Sequence, residues 1–397
     1  MIEKLKNKAK SYILNRWVYN SKKRDELPQI LQYLPATQKN DIFHVSAFNY
    51  GNAGDVLLPI ALHDLWNKDL KTIKWIDQNV YPTVTQEIVD KINHTKGLII
   101  GGGGLFLKDT NANKISGWQW PCSIEMLDRI EVPLVFYAVG YNRFRGQEEF
   151  DDFFKDNLQA FAEKSVYMGL RNTGSIEALK NYLPANLHHK LRFQPCMTTF
   201  LSEIYPDITN YHEKRDFVAV NAAFDRSHLR FGENIGNILN ATAKAVKRIS
   251  KDMPIKFYSH MPSDDAFLPF LQSYGVKYEV VKLNNVHPTK IIEEYAKPKL
   301  VVGMRGHAQM IPFGCKTPIV SIVSHNKMQW FLDDIGQPNW GADVLSESYQ
   351  NDLEKRMIIS LENTENEMDY ISKKQKQLFE ISQSNVNEGL QKMNIKK

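Results

Sequence analysis

The chain is poor in cysteine: Cys122, Cys196 and Cys315 stand far apart, in neither metal-site nor redox-pair spacing. That excludes a disulfide framework and fits a reducing compartment. No apolar run approaches the roughly 20 residues that span a bilayer. The opening MIEKLKNKAK carries charge but no apolar signal core, so a cytoplasmic enzyme is expected. His44, His63, His260, His287 and His325 are scattered, with nothing like H-E-x-x-H, so no metal site is expected. No G-x-S-x-G elbow exists and no cysteine has a nucleophile context, which argues against triad hydrolysis.

What is present is a long, folded, nearly neutral body. Its 397 residues, 43% hydrophobic and 11% aromatic, suit two domains plus extensions. The net charge of +5 is unevenly placed. Residues 1–24 hold eight Lys or Arg against Glu3, giving +7 there and −2 in the remainder. A basic excess confined to one end argues against a nucleic-acid-binding surface. Ile2, Leu5, Ala9, Tyr12, Ile13 and Trp17 fall at helical spacing between lysines. That pattern suits either a helix lying on an anionic membrane face or one docked on its own protein.

From Asp41 onward, short apolar runs alternate with helical stretches, as in the βα units of a parallel sheet. Strands are expected at Ile42–Phe48, Thr72–Ile76, Gly97–Ile100, Pro133–Ala138, Ser165–Met168 and Leu191–Phe193. Ser202–Arg215 turns polar and irregular, as a domain junction would. A second series follows at Phe217–Asn221, Ile255–Tyr258, Tyr278–Val281, Leu300–Val302 and Pro318–Ile322. The expected division is a basic extension over 1–40, Rossmann-like domains over 41–205 and 212–345 facing one cleft, and a helical tail over 346–397.

In a parallel sheet, the turns after strands line the ligand-binding edge. The segment LVVGMRGHAQMIPFG, Leu300–Gly314, is the strongest such turn. Gly303 and Gly306 allow close approach of backbone, and the helix that follows presents free N–H groups to an anion. Arg305 offers a planar donor for carboxylate or phosphate, and His307 a group able to move a proton near neutral pH. Near the start, Gly51-Asn52-Ala53-Gly54-Asp55 follows a strand ending at Phe48 and precedes a helix from about Val56. Asp55 is expected to cap that helix or act on a hydroxyl. The loop has neither a Walker lysine nor G-x-G-x-x-G spacing. Gly101, Gly102, Gly103 and Gly104 directly follow an apolar run, as a turn crossed by a ligand or another loop would. Trp118 and Trp120 can stack on a sugar or fill the core. Arg171 sits just past a strand, before a helix that Ser175 opens.

Taken together and in this order, Gly51–Asp55, the glycines 101–104, Arg171 with Ser175, and Gly303–His307 followed by Gly314 and Pro318 resemble the polysaccharide pyruvyl transferase family. The resemblance covers roughly residues 41–345. It implies a GT-B-like α/β fold of two facing Rossmann-type domains. It also implies transfer of pyruvate from phosphoenolpyruvate to a sugar as a ketal, in bacterial surface polysaccharide biosynthesis. One departure is Asn172, where the family usually has Asp after the arginine. Phosphoenolpyruvate carries a phosphate and a carboxylate, so Arg171 and Arg305 from opposite walls are expected to bind it. His307 is then the acid or a phosphate ligand, and Asp55 orients or deprotonates the acceptor hydroxyl. Asn52, Gly54 and Gly306 are expected at the substrate. No redox cofactor is required and no divalent metal is implied. The acceptor would be a lipid-linked or nucleotide-linked sugar, with residues 1–24 reaching the inner membrane face. The competing readings are a GT-B-type glycosyltransferase using a nucleotide sugar and a non-catalytic member that binds a glycan or synthase.

Overall fold

A computed structural model describes residues 40–48, 51–68, 73–108, 113–210 and 216–396. The basic segment 1–24 and its proposed membrane helix lie outside the described residues. The chain builds two six-stranded sheets in which every pairing is parallel. The first holds β1 (Asp41–Ser46), β2 (Lys74–Asn79), β3 (Gly97–Leu107), β4 (Leu134–Asn142), β5 (Tyr167–Leu170) and β6 (Leu191–Phe193), in the order β2-β1-β3-β4-β5-β6. The second holds β7 (Val218–Asn221), β8 (Ile255–Ser259), β9 (Tyr278–Lys282), β10 (Leu300–Gly303), β11 (Ile319–Val323) and β12 (Gly341–Asp343). Its order, β12-β11-β10-β7-β8-β9, is the Rossmann order 3-2-1-4-5-6 read from the other edge. The first sheet instead begins in the flavodoxin-like order, 2-1-3-4-5.

Helices cover both faces, so the central strands are apolar throughout. All nine residues of β4 and all five of β11 are buried, as parallel sheets require. The edge strand β2 is only half-buried along its length. One apolar cluster runs through both domains, joining Ile42, Leu58 and Met197 to Val301, Ile311 and Phe331.

Every strand except β12 overlaps an apolar run anticipated from the sequence. β3 differs most, because the glycines 101–104 lie inside it and not in a turn after it. A Cβ on Gly101 would stand 2.2 Å from the Tyr137 carbonyl oxygen, so glycine lets β3 run tight against β4. Gly102 and Gly103 take positive φ, and the register with β4 shifts between Gly103 and Phe106. Opposite Gly102, where β4 also shifts register against β5, Ala138 takes φ 55°, which is uncommon for a residue with a Cβ.

The tail returns to the first domain. Helix Thr364–Lys392 places Ser382 Oγ 2.6 Å from Tyr137 Oη, and Tyr167 Oη donates to the Asn385 carbonyl at 2.8 Å. Between the domains, Arg145 forms a bidentate pair with Asp343, at 2.8 and 2.6 Å. Phe144 stacks on His325 with ring centroids 4.5 Å apart. Among the described residues no helix is long and apolar enough to cross a membrane.

Candidate active site

Strand order reverses beside β1 in the first sheet and beside β7 in the second, and these switch points are where open α/β sheets bind ligands. The turns after β1, β5, β7, β10 and β11 meet around one cavity of about 470 Å³ between the domains. Of the residues expected from the sequence, Asn52, Asp55, Gly103, Gly104, Arg171, Arg305, Gly306 and His307 line it. Gly51, Gly54, Gly101, Gly102 and Ser175 stand behind the lining.

On the first wall, helix Ala53–Trp66 starts earlier than expected, and its cap is Asn52, whose side chain accepts from the Gly54 N–H at 3.2 Å. Asn52 Nδ2 also donates to Asp55 Oδ2 at 3.1 Å. Asp55 is therefore a first-turn residue held at the cavity and not the cap. Burial raises its carboxyl to about 6, opposed by the Asn52 hydrogen bond and by Arg305, Lys327 and Arg171. Gly54 meets a side chain and not a ligand: a Cβ there would lie 2.0 Å from His307 Nδ1.

Arg171 follows β5, and two of its guanidinium nitrogens, Nε and Nη2, are buried without a hydrogen-bond partner. Gly140 gives the side chain its room, since a Cβ there would lie 2.2 Å from Nε. The next helix, Thr173–Lys180, is opened by Asn172 and not by Ser175. Asn172 Oδ1 accepts from the Ser175 N–H at 2.7 Å, doing as an amide what an aspartate would do with charge. Ser175 Oγ accepts from the Tyr141 N–H at 3.0 Å and so ties β4 to this helix. Its role is structural.

On the second wall, Arg305 is not the free guanidinium the sequence suggests. Its Nε donates to Asp264 at 3.0–3.1 Å, and its Nη1 lies 2.7 Å from Asp225 Oδ1. The Asp264 carboxylate also accepts from the backbone N–H groups of His260 and Met261, at 3.0 and 3.2 Å. Asp225 is shared with Arg230 and Arg226. Arg305 is thus a locked element that offers the cavity only its remaining N–H groups.

His307 opens helix His307–Gly314, and its Nε2 is buried without a partner. Burial, then Arg171, Lys327 and Arg305, hold its imidazole down at about 3. The ring is neutral at physiological pH, so it is no stored acid in the unliganded site. Lys327 follows β11 and makes no ion pair or hydrogen bond with any described residue. Burial and the neighbours Arg171 and Arg230 push its ammonium well below the usual lysine value.

The lining holds five cationic side chains, Arg171, Arg226, Arg230, Arg305 and Lys327, against two carboxylates, Asp55 and Asp225. Asp225 pairs with Arg226, Arg230 and Arg305, and Arg305 also pairs with Asp264 behind the lining, so the lining cations without a carboxylate partner among the described residues are Arg171 and Lys327. Buried cations without counter-ions are costly, and an anion relieves that cost. Lys327, Arg226, Arg230 and Asp225 were not anticipated, although the rule that found Arg305 applies equally to the turns after β7 and β11. His260 lines the cavity, whereas His325 lies beneath Phe144. Trp118 and Trp120 are core residues, each 1% exposed, and only Gln119 between them reaches the cavity. Outside this cavity, among the described residues, potential ligand atoms of His44, His63 and Asp77 lie within 4.8 Å of one another, a convergence that sequence spacing does not display.

Comparison with known proteins places this geometry. Among curated proteins no sequence matches at a significant level. Among solved structures, the chain is similar to S. aureus MnaA in a co-structure with UDP, at 13% identity over 90% of this chain and 98% of that one, TM-score 0.57. It is also similar to UDP-GlcNAc 2-epimerase from Neisseria meningitidis bound to UDP-GlcNAc, at 10% identity over 87% and 98%, TM-score 0.51. At such identities the likeness is one of fold, and the fold is GT-B-like, two facing parallel α/β domains with a helical C-terminal segment. The model of the polysaccharide pyruvyl transferase family matches residues 52–326. With well over half of its length so matched, the chain belongs to the polysaccharide pyruvyl transferase family.

Proposed function

We propose that the protein transfers the enolpyruvyl carbons of phosphoenolpyruvate to two hydroxyls of a sugar, releasing phosphate and leaving a cyclic pyruvyl ketal. The observation that carries this reading is the pair Arg171 and Lys327, two cations without carboxylate partners facing one cavity. A phosphate and a carboxylate on one small donor would satisfy both. The first turn of helix Ala53–Trp66, whose cap Asn52 lines the cavity, and the remaining N–H groups of Arg305 add further donors.

The reaction needs a proton at the methylene carbon, which leaves an electrophilic centre at the carbon bearing phosphate. One sugar hydroxyl attacks there, phosphate departs with the carbon–oxygen bond electrons, and the second hydroxyl closes the ring. Of the two hydroxyl protons released, one balances the new methyl group and the other leaves with phosphate. Asp55, with its carboxyl near 6, is suited to take the hydroxyl proton. His307 enters as a neutral hydrogen-bonding ring. Burial and then three cations depress its proton affinity; a bound trianion offsets the cations' share, so donor binding raises that affinity toward that of an acid. The acceptor is a lipid-linked or nucleotide-linked sugar of a bacterial surface polysaccharide.

The test is to incubate the protein with phosphoenolpyruvate and a panel of such sugars, following phosphate release and the ketal carbon by NMR. Acceptor-dependent phosphate release supports the proposal. Transfer from a nucleotide sugar with phosphoenolpyruvate untouched would replace it with glycosyl transfer.

A further inference from the structure

His44 on β1, His63 two turns beyond Asp55 on helix Ala53–Trp66, and Asp77 on β2 bring three ligand atoms to one point. His44 Nδ1 lies 2.8 Å from His63 Nε2, His63 Nε2 3.2 Å from Asp77 Oδ1, and His44 Nδ1 3.7 Å from the same oxygen. Tetrahedral zinc with bonds of about 2.0–2.1 Å sets neighbouring ligand atoms about 3.3 Å apart. The observed triangle brackets that edge.

Proton bookkeeping points the same way. His44 Nε2 lies 3.0 Å from the Gly101 carbonyl oxygen, which only accepts, so Nε2 carries a hydrogen and Nδ1 is the ring atom turned toward His63 and Asp77. The 2.8 Å contact between the two rings uses one hydrogen, and Asp77 Oδ1 is left buried without a hydrogen-bond partner. A cation at the centre would use all three lone pairs at once. We propose that His44, His63 and Asp77 bind one zinc ion, with water as fourth ligand.

The surroundings suit that assignment. The Gly101 carbonyl fixes the tautomer and ring plane of His44, as outer-shell acceptors do for zinc-bound histidines. His63 is held flat against Trp75, with centroids 4.1 Å apart and planes at 14°. Two neutral imidazoles and one carboxylate form a borderline donor set that zinc accepts. Asp77 keeps 18% of its side chain exposed, which gives the ion a way in. None of the three residues lines the large cavity. The ion therefore acts as a clamp, joining β1, β2 and the helix that carries Asp55, and not as a reactant.

Full-length protein stripped with chelator and dialysed against zinc is expected to take up one equivalent and to gain in Tm. His63→Gln and Asp77→Asn are expected to lower zinc affinity by at least about tenfold, with circular dichroism unchanged. Cobalt in place of zinc is expected to give the intense visible bands of a four-coordinate ion, lost in both variants. Should His63→Gln fail to fold, Asp77→Asn at the exposed edge carries the same comparison. Failure to bind a stoichiometric zinc, or equal binding by the variants, would overturn the site in favour of a hydrogen-bonded His-His-Asp cluster.

Discussion

Replacing Lys327 by methionine separates the cost of a half-buried, unpaired cation from its use. Lys327 makes no ion pair or hydrogen bond with any described residue, and its strongest neighbours are the cations Arg171 and Arg230. Methionine keeps the length of the stem and removes the charge. Relief of an uncompensated, half-buried charge is worth about 0.5–2 kcal/mol, so Lys327→Met is expected to be more stable than the wild type in urea. Donor binding should move the other way. Losing one charge-assisted contact to an anion costs about 1.5–3 kcal/mol, which is roughly 10- to 150-fold in Kd at 1.4 kcal/mol per decade. Titration calorimetry with phosphoenolpyruvate and with inorganic phosphate reads the second effect. A pH series adds a third. Because the folded value lies below the ordinary 10.5, the unfolded chain binds the extra proton in that window, so wild-type stability rises with pH through it. The variant should lack that slope. A less stable variant with unchanged phosphate affinity would refute the reasoning.

Asp55→Asn is expected to abolish turnover and remove the limb of kcat/KM near pH 6, while donor affinity is kept or strengthened. With its folded value raised from 3.8 to about 6, Asp55 binds more protons folded than unfolded across that window. Its share of stability is present below 3.8 and lost as pH rises to 6, so the Asn variant should be the more stable at neutral pH. His307 works in the opposite direction. Its folded value near 3 against 6.5 unfolded makes stability fall as pH drops from 6.5 to 3, and His307→Gln should flatten that fall in a urea series. Turnover of His307→Gln should drop about 10²–10⁴-fold, and phosphoenolpyruvate binding at pH 7 should take up a proton in the wild type but not in this variant, as calorimetry in two buffers reports. Gly54→Ala should displace the His307 ring and cost activity comparably, whereas Gly306→Ala, whose added methyl meets only Lys327 Cε at 3.9 Å, should fold and bind phosphate normally. Equal activities for the two glycine variants would contradict the packing argument.

The parts of this protein legible in its sequence are those where local chemistry and tertiary position coincide. Leu300–Gly303 is apolar because both faces of a central parallel strand are covered, and the Arg305 and His307 turn must then emerge at the ligand edge. The glycines 101–104 were misleading because the same residue type serves a turn and a tight strand crossing. Only the Tyr137 carbonyl against Gly101 decides between them. β12 is three residues long and carries no periodic signal. The pairing of Arg305 was invisible because its partners Asp225 and Asp264 come from the turns after β7 and β8, far away in sequence. For the same reason His44, His63 and Asp77 show no metal spacing in the sequence, since three separate elements bring them together.

The central claim is tested most directly by one NMR experiment with [2-13C]phosphoenolpyruvate, a sugar acceptor and heavy water. The account predicts that carbon 2 becomes a ketal carbon bonded to a singly deuterated methyl group, with phosphate released in equal amount and only when acceptor is present. Phosphate released without acceptor, or a labelled carbon that stays enolic while the sugar is modified from another donor, would contradict it.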